Sequence, residues 1–268
     1  MKKNCRSVGE VDKTLYKDNL DIEENKETME INSAKMLNKE TMDVNSLQSQ
    51  NGDSPYLDMK KKDLLEGISR RNVSDSLEIL QSARVCILGA GGLGSNIASM
   101  LARSSVGNLH IVDFDEVEAS NLNRQAYFVE DIGKKKTEAL KNLIERINPF
   151  VNVEIENIKV TSENIGKIIE NEKYIVEAFD NASYKAMVVN EVLGNYDDKI
   201  VISGSGMAGL EDANNIKTEK IMKNLYVCGD GYTDYEEYNG IMAPRVMICA
   251  AHQANIVLRL ILKDIIQF

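Results

Sequence analysis

A glycine-rich segment of the sequence has the residue types and spacing of a phosphate-binding loop. Gly89, Gly91, Gly92 and Gly94 follow a short apolar run and precede a helical pattern. Glycines allow a tight turn there, and they let phosphate groups approach main-chain N–H groups at the positive end of the helix. Asp113 ends the next apolar run, about 24 residues further on, where a ribose hydroxyl needs an acceptor. These residues predict a nucleotide site, which either a dehydrogenase or an ATP-using enzyme could have.

Three further residues could handle the phosphates of a nucleotide. Arg124 can donate two parallel hydrogen bonds to phosphate oxygens, and Lys136 supplies a compact positive charge. Asp180 ends a later apolar run, and its carboxylate could hold Mg²⁺ against the phosphates. A dehydrogenase would have no use for these three residues. They favour ATP with Mg²⁺ as the cofactor over a nicotinamide nucleotide.

Each of these three residues also has a purely structural interpretation. Arg124 could form a surface salt bridge. Lys136 belongs to a run of three lysines that begins at Lys134. Such runs are usually solvated helix starts, and nothing in the run itself distinguishes Lys136 from the other two lysines. Asp180 could cap the helix predicted to follow it. Its position at the end of a strand favours the ligand-binding interpretation, because ligands of doubly wound sheets bind at the carboxyl ends of the strands.

Alternating strand and helix patterns place these residues in one class of fold. The predicted strands are Arg84–Leu88, Leu109–Asp113, Val151–Ile155, Tyr174–Phe179 and Lys199–Ser203. The predicted helices are Leu93–Arg103, Lys135–Ile147, Ser162–Ile169, Tyr184–Leu193 and Val246–Leu262. Strands that alternate with helices form βαβ units. The sequence therefore predicts an α/β fold, a doubly wound, Rossmann-like, mostly parallel sheet with helices on both faces.

The first 62 residues differ in composition from the rest of the chain. They are rich in Lys, Glu, Asp, Asn and Ser, and their apolar residues are sparse. Such a segment cannot bury enough apolar surface to offset the entropy of ordering the chain. We predict a flexible, disordered arm over residues 1–62 and an ATP-binding domain over residues 63–268.

Composition and charge limit the partners and the cellular setting of the protein. The chain of 268 residues carries 32 Lys and Arg against 42 Asp and Glu, a net charge of −10. An acidic protein is a poor match for a polyanion, so we do not expect nucleic acid as a partner. No apolar run reaches the roughly 18 residues that a membrane span needs, and no secretory signal is expected. Four scattered cysteines predict neither disulfides nor a structural zinc site, and they suit a reducing cytoplasm.

Five ordered motifs resemble the ThiF/MoeB/HesA family, the adenylating relatives of ubiquitin-activating enzymes. The first is the glycine-rich loop. The others are D-x-D…S-N-L-x-R-Q at Asp113–Gln125, G-x-x-K at Gly133–Lys136, I-N-P at Ile147–Pro149 and D-N at Asp180–Asn181. They occur in the order and at the spacing of the family, over about residues 65–265. Longer sequence segments, such as Asn123–Phe128 and Met242–Arg245, are most similar to the clostridial-type ThiF branch of this family.

The resemblance implies an adenylyltransferase. Such an enzyme joins the C-terminal glycine carboxylate of a ubiquitin-like sulfur carrier protein, ThiS, to the AMP part of ATP and releases pyrophosphate, in thiamine thiazole biosynthesis. The resemblance also implies a homodimer. Three alternatives stay open: a related enzyme for a molybdopterin carrier, one for the carboxylate of a modified adenosine in tRNA, and a noncatalytic nucleotide-binding scaffold. The zinc site that many relatives build from two CxxC pairs has no counterpart in this sequence.

Roles for individual residues follow from the same resemblance. Arg124, Lys136 and Asp180 are the expected catalytic residues, with Asp180 as the Mg²⁺ ligand. The residues expected to contact the nucleotide are Gly89, Gly91, Gly92, Gly94, Asp113, Ser120, Asn121, Arg124, Lys136 and Asn181. Relatives extend an arginine into the ATP site of the partner subunit, for which either Arg70 or Arg71 is the candidate here. Cys228 lies in the crossover region where some relatives place a cysteine that accepts the activated carrier.

Overall fold

Seven strands form a single sheet. The computed structural model describes residues 63–235, 237–238 and 240–266, so the predicted arm over residues 1–62 lies outside the described residues. The strands are β1 (Arg84–Leu88), β2 (Asn108–Val112), β3 (Asn152–Glu156), β4 (Tyr174–Glu177), β5 (Ile200–Gly204), β6 (Lys217–Met222) and β7 (Leu225–Gly229). Their order is β3-β2-β1-β4-β5-β7-β6, and all neighbours are parallel except β6 and β7. The predicted mostly parallel, doubly wound sheet is confirmed.

Helices connect most of the strands. They are α1 (63–69), α2 (Leu77–Ser82), α3 (Gly92–Arg103), α4 (Lys136–Ile147), α5 (Ile165–Ile168), α6 (Ala182–Asn195) and α7 (Ala243–Ile261). Two short 3₁₀ turns, Ala119–Asn121 and Val129–Asp131, lie between β2 and α4. Within the part of the chain that the structure describes, no helix combines the length and the apolar character needed to cross a membrane.

The side chains of β1 alternate between two cores, one on each face of the sheet. Val85 and Ile87 belong to a core with α3, α4 and α7, whereas Cys86 and Leu88 belong to a core with α5 and α6. All four side chains are fully buried because helices cover both faces. A strand buried on both sides is a continuous apolar run in the sequence, which is why β1 is predictable from the sequence alone.

The carboxyl-terminal part of the sheet differs from the sequence-based prediction. β6 and β7 form an antiparallel pair that the sequence analysis does not include. β6 lies at the edge of the sheet with mostly exposed side chains, so its sequence, KTEKIM, lacks the apolar alternation of a half-buried strand. Two helix predictions also need correction. α5 is limited to Ile165–Ile168, and α7 begins at Ala243, where Pro244 can occupy the first turn.

A buried charged cluster joins β1, β2 and β3 to the turn before β4. Nε of Arg84 lies 2.7 Å from Oε1 of Glu172, and Nδ1 of His110 lies 3.0 Å from the same oxygen. Nε2 of His110 lies 3.0 Å from Glu156 on β3. Burial by itself lowers the pKa of His110, but the carboxylates of Glu172, Glu154 and Glu156 together hold that pKa above its ordinary value. His110 is therefore part of the scaffold and does not line the cleft described below.

Candidate active site

Glycines shape the turn between β1 and α3. Gly89 has a φ of +100°, a conformation that side-chain-bearing residues rarely adopt. A Cβ atom on Gly94 would lie 1.8 Å from the carbonyl oxygen of Gly89, so only glycine lets the helix approach the strand this closely. α3 begins at Gly92 without a side-chain cap, and the first main-chain N–H groups of such a helix can bind an anion. The turn has the geometry of a phosphate-binding loop.

Asp113 braces this turn from the end of β2. Its Oδ2 accepts the N–H of Ala90 at 2.6 Å, and its Oδ1 accepts the N–H of Asp115 at 2.7 Å. Asp113 is 8% exposed, and it lines the cleft described below. Each carboxylate oxygen has two lone pairs, so both oxygens can accept a second hydrogen bond. The predicted contact with a ribose hydroxyl fits this geometry.

A cleft of about 160 Å³ lies at the carboxyl ends of β1, β2 and β4. It brings together the predicted site residues Gly89, Gly91, Gly92, Asp113, Arg124, Lys136 and Asp180. These residues come from the glycine loop, from the end of β2, from the loop before α4, from the start of α4 and from the end of β4. Ligands of doubly wound sheets bind at this edge, and the cleft lies where they are expected.

The lysine run contributes one residue to the cleft. Lys134 pairs with Asp131 at 2.9 Å, and Lys135 pairs with Glu116 at 3.0 Å on the surface. Lys136 is buried and lines the cleft, with its Nζ 2.8 Å from Oδ2 of Asp115. The interpretation of Lys136 as a solvated charge is therefore wrong. A positive charge placed beside a phosphate loop can stabilise an anion.

Arg124 also reaches the cleft without forming a salt bridge. Its Nη1 donates to the carbonyl oxygen of Ser120 at 3.2 Å and to Oδ1 of Asn123 at 2.9 Å. Within the described ranges, no carboxylate pairs with the guanidinium, so the salt-bridge interpretation is wrong. Its side chain packs beside Gly92, where an added Cβ atom would lie 3.5 Å from Cγ of Arg124. The guanidinium is half-buried and its remaining N–H groups can bind phosphate.

Helix α6 is capped by Asn181. Oδ1 of Asn181 accepts the N–H groups of Ser183 and Tyr184 at 2.9 and 3.2 Å. This cap uses the side-chain oxygen that a nucleotide contact would need, and Asn181 does not line the cleft. Asp180 lines it and makes no hydrogen bond or ion pair within the described residues. The interpretation of Asp180 as the helix cap is wrong, and its carboxylate can serve a ligand.

Ser120 and Asn121 lie beside the cleft and are engaged elsewhere. Oδ1 of Asn121 accepts the N–H of Glu118 at 3.0 Å, and Oγ of Ser120 donates to Glu118 at 3.2 Å. These bonds close the short 3₁₀ turn that presents Arg124. Neither side chain lines the cleft, so the structure assigns both residues to positioning the loop. Gly94 has a similar packing role within α3.

Arg71 lies far from the cleft of its own chain. It is exposed in the turn after α1, and its neighbour Asn72 donates a hydrogen bond to Ser104 at the carboxyl end of α3. The glycine loop lies at the other end of this 12-residue helix, about 18 Å away at 1.5 Å per residue. Arg71 does not line the cleft of its own chain.

Cys228 occupies the core and not the cleft. It is fully buried on β7, beside Thr218 of β6. Burial raises the pKa of its thiol to about 11, although a hydrogen bond with Thr218 opposes that shift. A nucleophilic cysteine needs an accessible thiolate. The interpretation of Cys228 as an acceptor of the activated carrier is corrected: in this structure it is a packing residue.

A magnesium ion would find one suitable carboxylate in the cleft. Among the described residues, no group of three or more His, Cys, Asp or Glu side chains could hold a metal by itself. Mg²⁺ is commonly held by one or two carboxylates together with the phosphates of a substrate and water. Asp180 fits this pattern, because its carboxylate lines the cleft and has no hydrogen bond or ion pair within the described residues. The Asp113 carboxylate already accepts two main-chain N–H groups, and Asp115 pairs with Lys136.

Sequence reasoning missed one group of cleft residues, Phe114, Lys159 and Tyr184. Nζ of Lys159 lies 5.9 Å from the ring centroid of Phe114 and 4.9 Å from that of Tyr184. The three side chains come from the end of β2, the loop after β3 and the first turn of α6. They line the cleft together. No motif or periodicity marks them, because only the strand order makes them neighbours.

Gln125 is another cleft residue outside the predicted site. It is 8% exposed and lines the cleft. Within the described residues, its Oε1 atom is buried without a hydrogen-bond partner. Buried polar groups in folded proteins are nearly always paired, so this amide can take a hydrogen bond from a ligand or from water. The R-Q motif contained this residue and was the signal that could have identified it.

Several known proteins are similar to this chain. A family model described as the ThiF family matches residues 68–267. A tRNA threonylcarbamoyladenosine dehydratase of Haemophilus influenzae is 34% identical over 161 residues, which cover 59% of this chain and 61% of that protein. A sulfur carrier protein adenylyltransferase of Thermus thermophilus is 38% identical over 112 residues, 41% of each chain. The matched segments thus span less than two thirds of either relative.

A solved structure shares the fold. The crystal structure of the E. coli tRNA N6-threonylcarbamoyladenosine dehydratase in complex with ATP matches with a TM-score of 0.68 at 20% identity, covering 76% of this chain and 95% of that chain. At this identity the likeness establishes the fold alone. The family model, however, spans nearly all of the described residues, and it includes each of the motifs quoted above. The chain belongs to the ThiF family.

Proposed function

We propose that this protein binds ATP and adenylates a carboxylate. The observation that carries the proposal is the placement of Arg124, Lys136 and Asp180 in one cleft with the glycine loop and Asp113. Two positive charges, one unpaired carboxylate and a helix N-terminus meet at the edge of the sheet where nucleotides bind. A nicotinamide nucleotide would leave the phosphate-directed residues beyond Asp113 without a role.

The chemistry of adenylation matches these groups. A carboxylate oxygen of the substrate attacks the α-phosphorus of ATP, the bond from that phosphorus to the bridging oxygen breaks, and pyrophosphate leaves with the bonding electrons. Negative charge grows on the leaving group, and it is stabilised by groups that are already in place. Arg124 and Lys136 supply positive charge to the phosphates, and the first N–H groups of α3 donate to them.

Asp180 is the residue that would hold Mg²⁺ in this cleft. A Mg²⁺ ion held there would offset part of the negative charge of the phosphates. The carboxylate of Asp180 is exposed at the end of β4 and is free of partners among the described residues. Its neighbour Glu177 is buried and anchors the turn, because one of its carboxylate oxygens accepts the N–H of Phe179 at 2.7 Å.

The similar proteins favour one class of carboxylate substrate over the other. The Haemophilus relative, whose name states a tRNA substrate, matches 59% of this chain, whereas the Thermus sulfur carrier relative matches 41%. This supports the alternative of a modified adenosine in tRNA better than the expectation of a sulfur carrier such as ThiS. The carrier is the second candidate, because the Thermus relative is the more identical of the two, at 38% against 34%.

Exchange of labelled pyrophosphate into ATP tests the proposal. The full chain is incubated with ATP, Mg²⁺ and either tRNA that carries N6-threonylcarbamoyladenosine or a ubiquitin-like carrier that ends in glycine. Unmodified tRNA and a carrier without its last glycine are the matched controls. Exchange that depends on one intact carboxylate identifies the substrate. The absence of exchange with every carboxylate, together with tight binding of NADH and none of ATP, would refute the proposal.

A second copy of the chain is part of the proposal. Arg71 does not line the cleft of its own chain, and the resemblance assigns such an arginine to the ATP site of a partner subunit. We therefore propose a homodimer in which Arg71 contacts the nucleotide of the partner. Sedimentation of the full chain tests the dimer, and loss of ATP affinity in Arg71→Ala, with the dimer intact, tests the contact.

A further inference from the structure

We propose that a buried ion pair, Arg245 with Asp230, positions the wall of the cleft against which the carboxylate substrate binds. The inference rests on the proposed adenylation and adds positioning residues to it. The Arg245 side chain is 3% exposed, and the Asp230 side chain is fully buried. Neither residue lines the cleft, so the pair acts through the segments that it holds.

Arg245 links three segments that are separate in the sequence. It lies in the first turn of α7, and its Nη2 donates to Oδ2 of Asp230, the residue that follows β7. Its Nη1 donates to the main-chain carbonyl oxygens of Glu211 and Asp212 at 2.6 and 3.1 Å, in the loop after β5. A guanidinium holds its donors in a fixed planar arrangement. One side chain therefore sets the spacing of all three segments.

Asp230 extends this connection towards the cleft. Its Oδ1 accepts the main-chain N–H groups of Tyr232 and Thr233 at 3.0 and 2.9 Å, and its Oδ2 accepts the hydroxyl of Thr233 at 2.8 Å. The same hydroxyl accepts the N–H of Ala208 at 3.1 Å. Burial by itself raises the pKa of Asp230, but these hydrogen bonds and the charge of Arg245 hold that pKa below its ordinary value. The pair is therefore ionised at neutral pH.

The anchored segments contribute three apolar side chains to the cleft. Met207 precedes Ala208, Val246 follows Arg245, and both line the cleft together with Ile241. We refer to Met207, Ile241 and Val246 as the apolar wall. A change at the buried pair would move this wall without removing any of its side chains.

The apolar wall borders the phosphate end of the cleft. A Cβ atom on Gly92 would lie 3.1 Å from Cγ1 of Val246, so the wall packs against the first turn of α3. Nδ2 of Asn123 donates to the carbonyl oxygen of Ile241 at 3.0 Å, and Asn123 is the neighbour of Arg124 in the chain. The wall is therefore close to the groups that we assign to the phosphates.

The side of the sheet that carries the apolar wall is the side left for the carboxylate substrate. Asp113, the proposed ribose contact, ends β2, whereas the wall belongs to segments after β5 and β7, and β1 and β4 lie between them. The attacking oxygen and the departing pyrophosphate lie roughly in line through the phosphorus, so the substrate needs a surface that the nucleotide does not cover. Apolar side chains suit this surface, because they neither repel a carboxylate nor pair with it.

The kinetics of pyrophosphate exchange test the positioning role. The rate is measured at saturating ATP against the concentration of a carrier that ends in glycine, and of tRNA that carries N6-threonylcarbamoyladenosine. Thr233→Val removes the hydroxyl bonded to Ala208, and Arg245→Lys keeps the charge but removes the planar group of donors. Arg84→Lys is the matched control, because the Arg84 guanidinium also pairs with a buried carboxylate, that of Glu172 at 2.7 Å, and does not line the cleft.

The positioning role predicts a loss that is specific to the carboxylate substrate. We expect kcat/KM for that substrate to fall about two- to tenfold in Thr233→Val, which corresponds to one lost hydrogen bond, and to fall further in Arg245→Lys. The affinity for ATP, measured by calorimetry, should equal that of the wild type in both variants, because the residues assigned to the nucleotide stay in place. Arg84→Lys should match the wild type in both measurements.

The other outcomes have different meanings. A lower melting temperature with unchanged kcat/KM per folded molecule would assign the pair to stability alone and overturn the inference. Equal weakening of ATP and of the carboxylate substrate would overturn it as well, because the pair would then shape the whole cleft. If Arg245→Lys does not fold, Thr233→Val decides the question, since it keeps both charges of the pair. A wild-type chain without exchange on either substrate would refute the proposed function and, with it, this inference.

Discussion

Asp180 and Asn181 are adjacent in the chain, but only Asn181 caps helix α6. Oδ1 of Asn181 accepts two main-chain N–H groups of the first helical turn, from Ser183 and Tyr184. The carboxylate of Asp180 lines the cleft and has no partner within the described part of the chain. Asn181 therefore stabilises the helix, whereas Asp180 is available to a ligand. One substitution at each position can test this difference.

Asp180→Ala is expected to lower pyrophosphate exchange by about 100-fold or more. The change removes the carboxylate that would hold Mg²⁺, and metal stabilisation of transition-state charge contributes several kcal/mol. The melting temperature should stay close to that of the wild type. Asn181→Ala is the control: it should cost about 1 kcal/mol of stability through the lost cap and keep near-normal exchange per folded molecule. Near-normal exchange by Asp180→Ala would remove Asp180 from the active site.

Lys136→Ala should lower exchange on the order of 100-fold, because a preorganised positive charge is lost from the phosphate end of the cleft. Lys134→Ala is the matched control two residues earlier. Its partly exposed ammonium pairs with Asp131 and does not line the cleft, so its exchange rate should stay near that of the wild type. Equal effects of the two substitutions would show that the lysine run acts only through its overall charge.

Cys228→Ala is expected to keep the exchange activity. The thiol is fully buried, and its pKa is raised to about 11 by burial, so it has little thiolate at neutral pH. Alkylation followed by mass spectrometry should label Cys228 only after the protein is unfolded. Rapid labelling of native protein, together with loss of carrier or tRNA modification in the variant, would restore Cys228 as a candidate nucleophile.

His110 should make the stability of the protein depend on pH. Its pKa is raised in the folded state by Glu172, Glu154 and Glu156, although burial opposes the shift. The folded state therefore binds the proton more tightly than the unfolded chain does. The contribution of His110 is complete below its unfolded pKa of about 6.5, and it is lost as the pH rises through the higher folded value.

Urea unfolding at several pH values measures this contribution. The difference in unfolding free energy between the wild type and His110→Gln should be largest near pH 6 and should shrink as the pH increases above the ordinary histidine pKa. The carboxylate of Glu172 keeps its contact with Arg84 in the variant. A difference that grows with pH would mean that His110 is neutral in the native protein.

Local sequence determines the elements of the nucleotide loop. The turn at Gly89 and Gly94 depends on interactions between near neighbours in the chain. The two buried strands depend on apolar runs, which any doubly wound sheet needs. The family resemblance and the mostly parallel α/β fold were predictable for this reason, and both are confirmed. Strand β6 was not predictable, because an exposed edge strand has no apolar pattern.

The tertiary structure alone decides which polar residues face the ligand. Ser120, Asn121 and Asp180 are all polar residues of the family motifs. In the folded chain, hydrogen bonds engage the side chains of Ser120 and Asn121 in a 3₁₀ turn, whereas the carboxylate of Asp180 lines the cleft. Lys159 and Tyr184 are about 25 residues apart and meet because the segments that follow β3 and β4 both lie at the carboxyl edge of the sheet. Sequence patterns report periodicity and local geometry, whereas contacts between distant segments depend on the order of strands and on the packing that covers them.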